Sequence, residues 1–348
     1  MQDAMPDPYL PPTDAPDLGT MRPAEPALPP VTAVERIQDA MPWAKPIHLD
    51  GVLERQRFHP LLAAGAAFFI GFLIYQIVGA IAMVVAASGS VDWSDDPGTV
   101  METVLNDGVA IFGGNAVGQY AGFFVFVWFV AWLHSRDTQE YLRVRRADWG
   151  QLALGAVGWM AIVPLVSWLG EVNSVLPMPE SLRAWDQQQA DMIEQVLGAD
   201  LNLWYVLLVV AVTPALCEEL MFRGYLQRQV ERTWGVLASI LVVGIFFGAF
   251  HLRPTQLLPL STLGIYLGFS VWVSGSLWVG VLIHLLNNGL AAIVSDYAAQ
   301  NPDAISLETL ESPWYLALLS AVVVAGVVLA QLRRRKALLA APSPPLSR

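Results

Sequence analysis

The chain has 348 residues, of which 55% are hydrophobic and 14% are charged, and its formal net charge at pH 7 is −11. A soluble globular domain carries roughly 25% charged residues, so this composition excludes a soluble globular protein and indicates a multi-pass membrane protein. The negative net charge argues against a nucleic-acid partner. The single cysteine, Cys217, excludes an intramolecular disulfide and a metal site made of cysteines alone.

The N-terminal segment 1–57 is predicted to be an acidic, proline-rich tail. Nine of the first thirty residues are proline, and no basic region leads into an apolar core, which argues against a signal peptide. Such a segment contains too few apolar residues to fold by itself. We therefore expect it to be disordered.

Eight apolar stretches follow, and about 20 mostly apolar residues are enough for one helix to span a bilayer. In chain order they are Leu61–Ala87, Val109–Leu133, Trp149–Gly170, Leu201–Gln227, Val236–His251, Gln256–Val273, Leu277–Ser295 and Trp314–Leu332. Only Ser274–Ser276 separates the sixth from the seventh, so these two form either a tight hairpin or one broken element. The sequence predicts an all-α fold, a polytopic membrane bundle of about eight transmembrane helices.

Lysine and arginine are concentrated in alternate loops. They lie before the first span, between the second and third, after the fourth and after the eighth: Arg36, Lys45, Arg55 and Arg57; Arg136, Arg143, Arg145 and Arg146; Arg228 and Arg232; Arg333, Arg334, Arg335 and Lys336. The intervening loops are acidic, apart from a short one that contains Arg253. Because loops rich in lysine and arginine stay in the cytoplasm, both termini are predicted to be cytoplasmic.

Charged side chains interrupt the fourth span, in the stretch ALCEELMFRGY at 215–225. Each one costs about 2.5–3.5 kcal/mol at a helix centre, so these groups must be paired or lie in a hydrated cavity. Glu219 and Arg223 have the spacing and order that favour an ion pair, which is more often structural than chemical. Glu218 points about 100° away from Glu219 and can stay unpaired, as a general base requires.

Two further polar clusters lie within apolar sequence. Phe247 and His251 are four residues apart in GIFFGAFHLRP, and His284 and Asn288 are four apart in VGVLIHLLNNGL. If the fourth and fifth spans are antiparallel neighbours, Glu218 and His251 lie at a similar depth. Taken singly, a histidine or asparagine in a span is usually a packing residue. Three clusters on three nearby spans are hard to explain by packing alone.

These residues allow several chemistries. Glu218, His251 and His284 offer the three ligands that a catalytic zinc ion needs, although the chain has no HExxH sequence. Alternatively, Glu218 and His251 activate water directly, and His284 and Asn288 donate hydrogen bonds to the oxyanion. A thiolate mechanism at Cys217 is disfavoured because two carboxylates adjoin the thiol.

In order and spacing, the three clusters resemble the signature motifs of the CPBP family. Its members are CAAX-prenyl proteases and bacteriocin-processing intramembrane proteases, also called the Abi family. The segment FRGYLQ at 222–227 is similar to the first motif of that family. The resemblance covers about 201–295, roughly a quarter of the chain.

The resemblance implies an intramembrane metalloendopeptidase that hydrolyses peptide bonds of membrane-associated or lipid-linked proteins and peptides. By this resemblance, Glu218 and His251 activate water. The residues implied to stabilise the oxyanion or help to bind a metal ion are His284 and Asn288. The implied supporting residues are Glu219, Arg223 and Phe247. The implied cofactor is a divalent metal ion, with zinc expected and Glu218, His251 and His284 as its ligands.

The resemblance also implies the inner membrane of a bacterium and a cavity open toward the cytosol. We divide the chain into the cytoplasmic tail 1–57, N-terminal transmembrane helices 58–200, a catalytic core 201–296, and a last helix with a basic cytoplasmic tail 297–348. The expected partners are membrane lipid and a membrane-bound protein or peptide substrate, and no nucleic acid.

Two alternative functions use the same residues. A non-catalytic immunity or peptide-binding protein needs the cavity but not the chemistry. A transporter is expected to show an internal repeat, and spans five to eight contain no second copy of EELMFR.

Overall fold

The computed structural model describes residues 47–197, 201–301 and 312–340. Within these ranges, the chain forms helices and connecting turns and contains no strand. Most of the predicted tail, residues 1–46, lies outside the described residues, so its disorder stays a prediction.

The helices are numbered here in chain order. They are α1 (Val52–Arg55), α2 (Pro60–Ala87), α3 (Pro97–Asn106), α4 (Gly108–His134), α5 (Thr138–Tyr141), α6 (Trp149–Ser174), α7 (Glu180–Leu197), α8 (Leu203–Trp234), α9 (Val236–Phe250), α10 (Leu257–Ser274), α11 (Leu277–Gln300) and α12 (Trp314–Ala340).

Seven helices in the described ranges are long and apolar enough to cross a membrane, namely α2, α4, α6, α8, α10, α11 and α12. The apolar helix α9 is shorter, with 15 residues. The predicted multi-pass helical bundle of about eight helices is confirmed, and the chain is an integral membrane protein. Several helices extend beyond the predicted span ends, because their polar and basic last turns stay helical outside the apolar stretch.

Local sequence explains where the spans begin and turn. Asp148 and Ser276 accept hydrogen bonds from backbone N–H groups in the first turns of α6 and α11, as helix N-caps do. Between α10 and α11, Gly275 adopts a left-handed conformation with φ of 66°, which glycine tolerates without a steric cost. The sixth and seventh spans are therefore a tight hairpin rather than one broken element.

Arginines from separate loops meet at one end of the bundle, which we call the basic end. The contacts there join Arg143 to Glu231, Arg145 to Gly275, Arg232 to Glu54, Arg334 to Asp148 and Arg335 to Trp272. Helices α8, α10 and α12 end there, and α6, α9 and α11 begin there. The loops that the sequence groups by their positive charge thus share one end of the structure.

Residues 47–57 pack against this basic end and correct the predicted boundary of the tail. Ile47 is buried, and the Glu54 carboxylate accepts hydrogen bonds of 2.7 Å from both His134 and Arg232. Burial raises the pKa of Glu54, but these two hydrogen bonds hold it below its usual range. Residues 47–57 therefore belong to the folded protein.

Candidate active site

The paired carboxylates lie in the middle of α8, where its geometry changes. The α-helical segment Thr213–Glu219 is followed directly by a π-helical turn, Leu220–Leu226. Such π-helical turns are rare in proteins, and those that occur are often found at functional sites. Glu219 and Arg223 are fully buried, and Glu218 is 7% exposed. All three charged groups therefore lie inside the bundle rather than in lipid.

Glu219 and Arg223 together join three helices. The Oε1 atom of Glu219 accepts a hydrogen bond of 2.6 Å from Arg223 Nη1 and another of 2.9 Å from His284 Nδ1. Arg223 also donates to the backbone oxygen of Gly264 on α10, at 3.2 Å. The structure thus contains the ion pair that the sequence predicts and shows that Glu219 also orients a histidine on α11.

Each of the two histidines has one ring nitrogen engaged. His284 Nδ1 faces the Glu219 carboxylate, and His251 Nδ1 lies 2.8 Å from the backbone oxygen of Phe247. Since these oxygens accept hydrogen bonds, both Nδ1 atoms carry the proton, and Nε2 is free to accept one. The Phe247 ring centroid lies 4.8 Å from that of His251 and 5.7 Å from that of His284. Phe247 therefore holds the two imidazoles in place.

Glu218 makes no side-chain hydrogen bond with the described residues, whereas Glu219 accepts two through Oε1 and leaves only its Oε2 atom without a partner. The Oε2 atom of Glu218 is buried and has no hydrogen-bond partner in the described part of the chain. No hydrogen bond among those residues joins Glu218 to His251. A buried acceptor without a donor is costly, so this oxygen is poised to bind a water molecule or a substrate group.

Asn288 ties α11 to the first half of α8. Its Nδ2 atom donates a hydrogen bond of 3.0 Å to the backbone oxygen of Val210, which lies in the π-helical turn Leu207–Val212. Asn287 donates to Asn288 Oδ1 at 3.2 Å. The observed contacts of Asn288 are thus interhelical, one of the roles weighed from sequence, and its oxyanion role stays a prediction.

The predicted zinc ligands need to converge on one point. Among the described residues, no group of three or more His, Cys, Asp or Glu side chains is arranged to hold a metal ion. The donors Glu218, His251 and His284 therefore do not fit a metal centre as they stand. The zinc site stays a prediction, and the chemistry of these residues is derived without it.

An aromatic wall lies beside the site, and sequence reasoning missed it. The Phe250 ring centroid lies 6.0 Å from that of His251, 5.4 Å from Phe222 and 5.7 Å from Phe68 on α2. These residues belong to α2, α8 and α9. No pattern in the sequence distinguishes such phenylalanines from those that face lipid.

A second missed feature is the support of the loop after His251. Leu252 has a left-handed backbone with φ of 53°, which is strained for a bulky residue and typical of functional sites. Trp185 on α7 donates a hydrogen bond of 3.0 Å to the backbone oxygen of Leu252. The neighbouring Asp186 carboxylate accepts a hydrogen bond of 2.7 Å from Thr255 Oγ1. Helix α7 thus fixes the loop that carries His251.

The histidine loop and the basic end lie at opposite ends of the bundle. His251 directly follows α9, whose 15 residues span about 22 Å from their start at the basic end. His251 is partly exposed there. His251 therefore lies toward the end of the bundle opposite the basic end, whose loops the charge pattern predicts to be cytoplasmic.

Two further buried side chains, His134 and Cys217, take no part in the candidate chemistry, and the sequence singles out only the cysteine. His134, which lies just past the predicted second span, ends α4 as a fully buried side chain. Cys217 is also fully buried, and it makes no hydrogen bond to a histidine in the described ranges. The thiolate mechanism therefore has no structural support.

Comparison with known proteins gives one match. Residues 200–290 match the model of a family described as type II CAAX prenyl endopeptidase Rce1-like. A search of curated proteins found no match, and a search of solved structures found none. The matched segment contains both carboxylates, both histidines and Asn288. The match covers about a quarter of the chain, and it supports a membrane endopeptidase in general, because residues 200–290 are similar to the Rce1-like type II CAAX prenyl endopeptidase family.

Proposed function

We propose that this protein is an intramembrane endopeptidase that hydrolyses peptide bonds of membrane-associated or lipid-linked proteins and peptides. The observation that carries this proposal is the buried Glu218 carboxylate. This carboxylate makes no hydrogen bond with the described residues, and its Oε2 atom is buried, whereas the neighbouring Glu219 carboxylate accepts from both Arg223 and His284 through Oε1. Packing alone does not explain an unpaired buried acceptor, whereas a general base requires one.

The chemistry follows from the free atoms of the site. Glu218 takes a proton from a water molecule as the water oxygen attacks the carbonyl carbon of the peptide bond. The carbon–nitrogen bond then breaks, and the amine leaves with a proton returned by Glu218. His251, with Nδ1–H bound to a backbone oxygen, presents Nε2 as a second proton acceptor for the same water.

His284 and Asn288 are proposed to stabilise the oxyanion. In this role His284 donates to the oxyanion from Nε2 in the form that carries a proton on both ring nitrogens, and the Glu219 carboxylate holds the ring at Nδ1. Arg223 donates to Glu219 Oε1 and so holds that carboxylate in place. The proposed chain of support thus runs from Arg223 through Glu219 to His284.

Glycine at position 280 makes this support possible, because α11 approaches Glu219 closely. A Cβ atom there would lie 2.6 Å from Glu219 Oε2. Gly280→Ala should therefore displace the carboxylate, cost about 1–3 kcal/mol of stability and lower peptide cleavage more than tenfold. Gly326→Ala, where no atom lies within 4 Å, is the matched control. Equal cleavage by both variants would show that the close approach has no functional role.

The proposed partners are membrane lipid and a membrane-bound protein or peptide, and nucleic acid is not among them. The proposed location is the inner membrane of a bacterium, with both termini in the cytoplasm. The predicted zinc ion is tested by metal analysis of the purified protein, with His284→Ala as the control.

This orientation predicts which end of the bundle is accessible from outside the cell. Single cysteines are introduced by Ala299→Cys, at the end of α11, and by Ala337→Cys, at the basic end, both in a Cys217→Ala background. A membrane-impermeant maleimide should label the first variant in intact cells and the second only after lysis. The opposite pattern would place the basic end outside, and with it both termini.

The peptidase activity is tested by comparing peptide termini in membranes of cells that carry the wild type or Glu218→Gln at matched expression. A terminus found only with the wild type identifies a substrate and makes Glu218 catalytic. If termini are unchanged but the cells gain bacteriocin protection that persists in a Glu218→Ala, His251→Ala variant, the immunity or binding function is favoured instead.

A further inference from the structure

A chain of polar side chains in the N-terminal helices, outside the segment that matches the family, ends at the Tyr75 hydroxyl. Tyr75 lies on α2, and Asn115 and Gln119 lie on α4, in the middle of apolar helices. Gln119 Nε2 donates to Asn115 Oδ1 at 2.8 Å, and Asn115 Nδ2 donates to the Tyr75 hydroxyl at 2.6 Å. Polar groups in spans are expensive and usually functional.

Glycines on α4 position Tyr75 for this contact. A Cβ atom at Gly118 would lie 2.7 Å from the Tyr75 ring, and one at Gly122 would lie 2.8 Å from Tyr75 Cβ. Small residues spaced in this way let two membrane helices approach closely. The Tyr75 ring also contacts Phe123, at 5.3 Å between centroids, and so belongs to the aromatic wall of the site.

Tyr75 and Glu218 complement each other. The Tyr75 hydroxyl lies within electrostatic range of the Glu218 carboxylate, and the part of α8 that carries Glu218 packs on α4. Because the hydroxyl accepts from Asn115, its own proton is available, and it has no acceptor among the described residues. Glu218 Oε2 is an acceptor without a donor in the same part of the chain. Tyr75 thus brings a hydroxyl proton without an acceptor, held by Asn115 on α4, to the helix that packs on the segment of α8 carrying the Glu218 oxygen without a donor.

We propose that Tyr75 is a positioning residue for the attacking water, donating a hydrogen bond to the water oxygen while Glu218 accepts one of its protons. The second lone pair of the water oxygen stays free to attack the carbonyl carbon. Asn115 and Gln119 orient the hydroxyl. This inference rests on the proposed function, in which water is the nucleophile.

The kinetic test uses Tyr75→Phe, which removes one oxygen atom and keeps the ring contacts. The probe is a fluorogenic peptide ending in a prenylated C-a-a-X sequence, added to purified protein in liposomes. We expect kcat to fall about tenfold with KM and thermal stability unchanged. Tyr266→Phe is the matched control, because its hydroxyl donates to the Gly155 oxygen away from the site. An unchanged kcat in Tyr75→Phe would overturn the proposal, and so would a loss confined to KM or to stability.

A second readout does not depend on cleavage. A crystal structure of the wild type should show an ordered water between the Tyr75 hydroxyl and Glu218 Oε2, and that water should be missing in Tyr75→Phe. A metal ion there, or no density, would overturn the proposal. If the water is present but the wild type cleaves no peptide, the proposed function fails while Tyr75 still positions the water.

Discussion

Arg223→Met is expected to lower the free energy of unfolding by about 3–5 kcal/mol. The side chains of Arg223 and Glu219 are both fully buried. Removing the guanidinium leaves the Glu219 carboxylate inside the bundle with His284 as its remaining hydrogen-bond partner. An uncompensated buried charge is costly because the interior cannot solvate it. Unfolding by SDS titration in mixed micelles measures the loss.

Two further variants separate charge from packing in that experiment. Arg334→Met removes a guanidinium that is 46% exposed and paired with Asp148, and it should cost at most about 1 kcal/mol. The double variant Glu219→Gln, Arg223→Met removes both charges, so it should regain much of the stability but not the cleavage, because His284 loses its carboxylate. If Arg223→Met is no less stable than Arg334→Met, the buried Glu219–Arg223 pair does not stabilise the folded protein.

Glu218→Gln and His251→Asn are each expected to lower kcat at least about a thousandfold, and the double variant should lose no more than the worse single one. Residues that act on one water molecule as a unit show such non-additive losses. Both single variants should stay folded, because Glu218 Oε2 has no partner among the described residues and His251 bonds only its own helix.

The matched control for the histidine is His48→Asn, at an exposed position of the basic end, opposite the end where His251 lies, which should leave kcat unchanged. The same peptide and liposomes serve for all four proteins. Losses that multiply in the double variant would mean that Glu218 and His251 act in separate steps, and the shared-water mechanism would be wrong.

Hydropathy predicts the membrane spans well because each span is a long apolar stretch bounded by polar or charged residues. Every predicted span begins within two residues of the first residue of an observed helix, and the starts at Trp149 and Leu277 coincide. The ion pair between Glu219 and Arg223 is equally predictable, since both side chains come from one helix and its period sets their distance.

The remaining features depend on which helices are neighbours, and periodicity does not encode that. The bond between Glu219 and His284 joins residues 65 positions apart, and the approach of Tyr75 to Glu218 requires α2 to pack against α8. Residues 47–57 fall within the tail that the sequence predicts, yet Glu54 is held by partners from α4 and α8. Only the packed structure supplies such partners.

The most direct test of the central claim is hydrolysis by the purified protein in water enriched in oxygen-18. Wild-type protein and Glu218→Gln are reconstituted in liposomes at equal amounts with the same prenylated peptide, and the products are examined by mass spectrometry. The wild type should produce a new C-terminal carboxylate that carries one heavy oxygen, and Glu218→Gln should produce none. Equal amounts of labelled product from both proteins would contradict the role of Glu218 as the base that activates water.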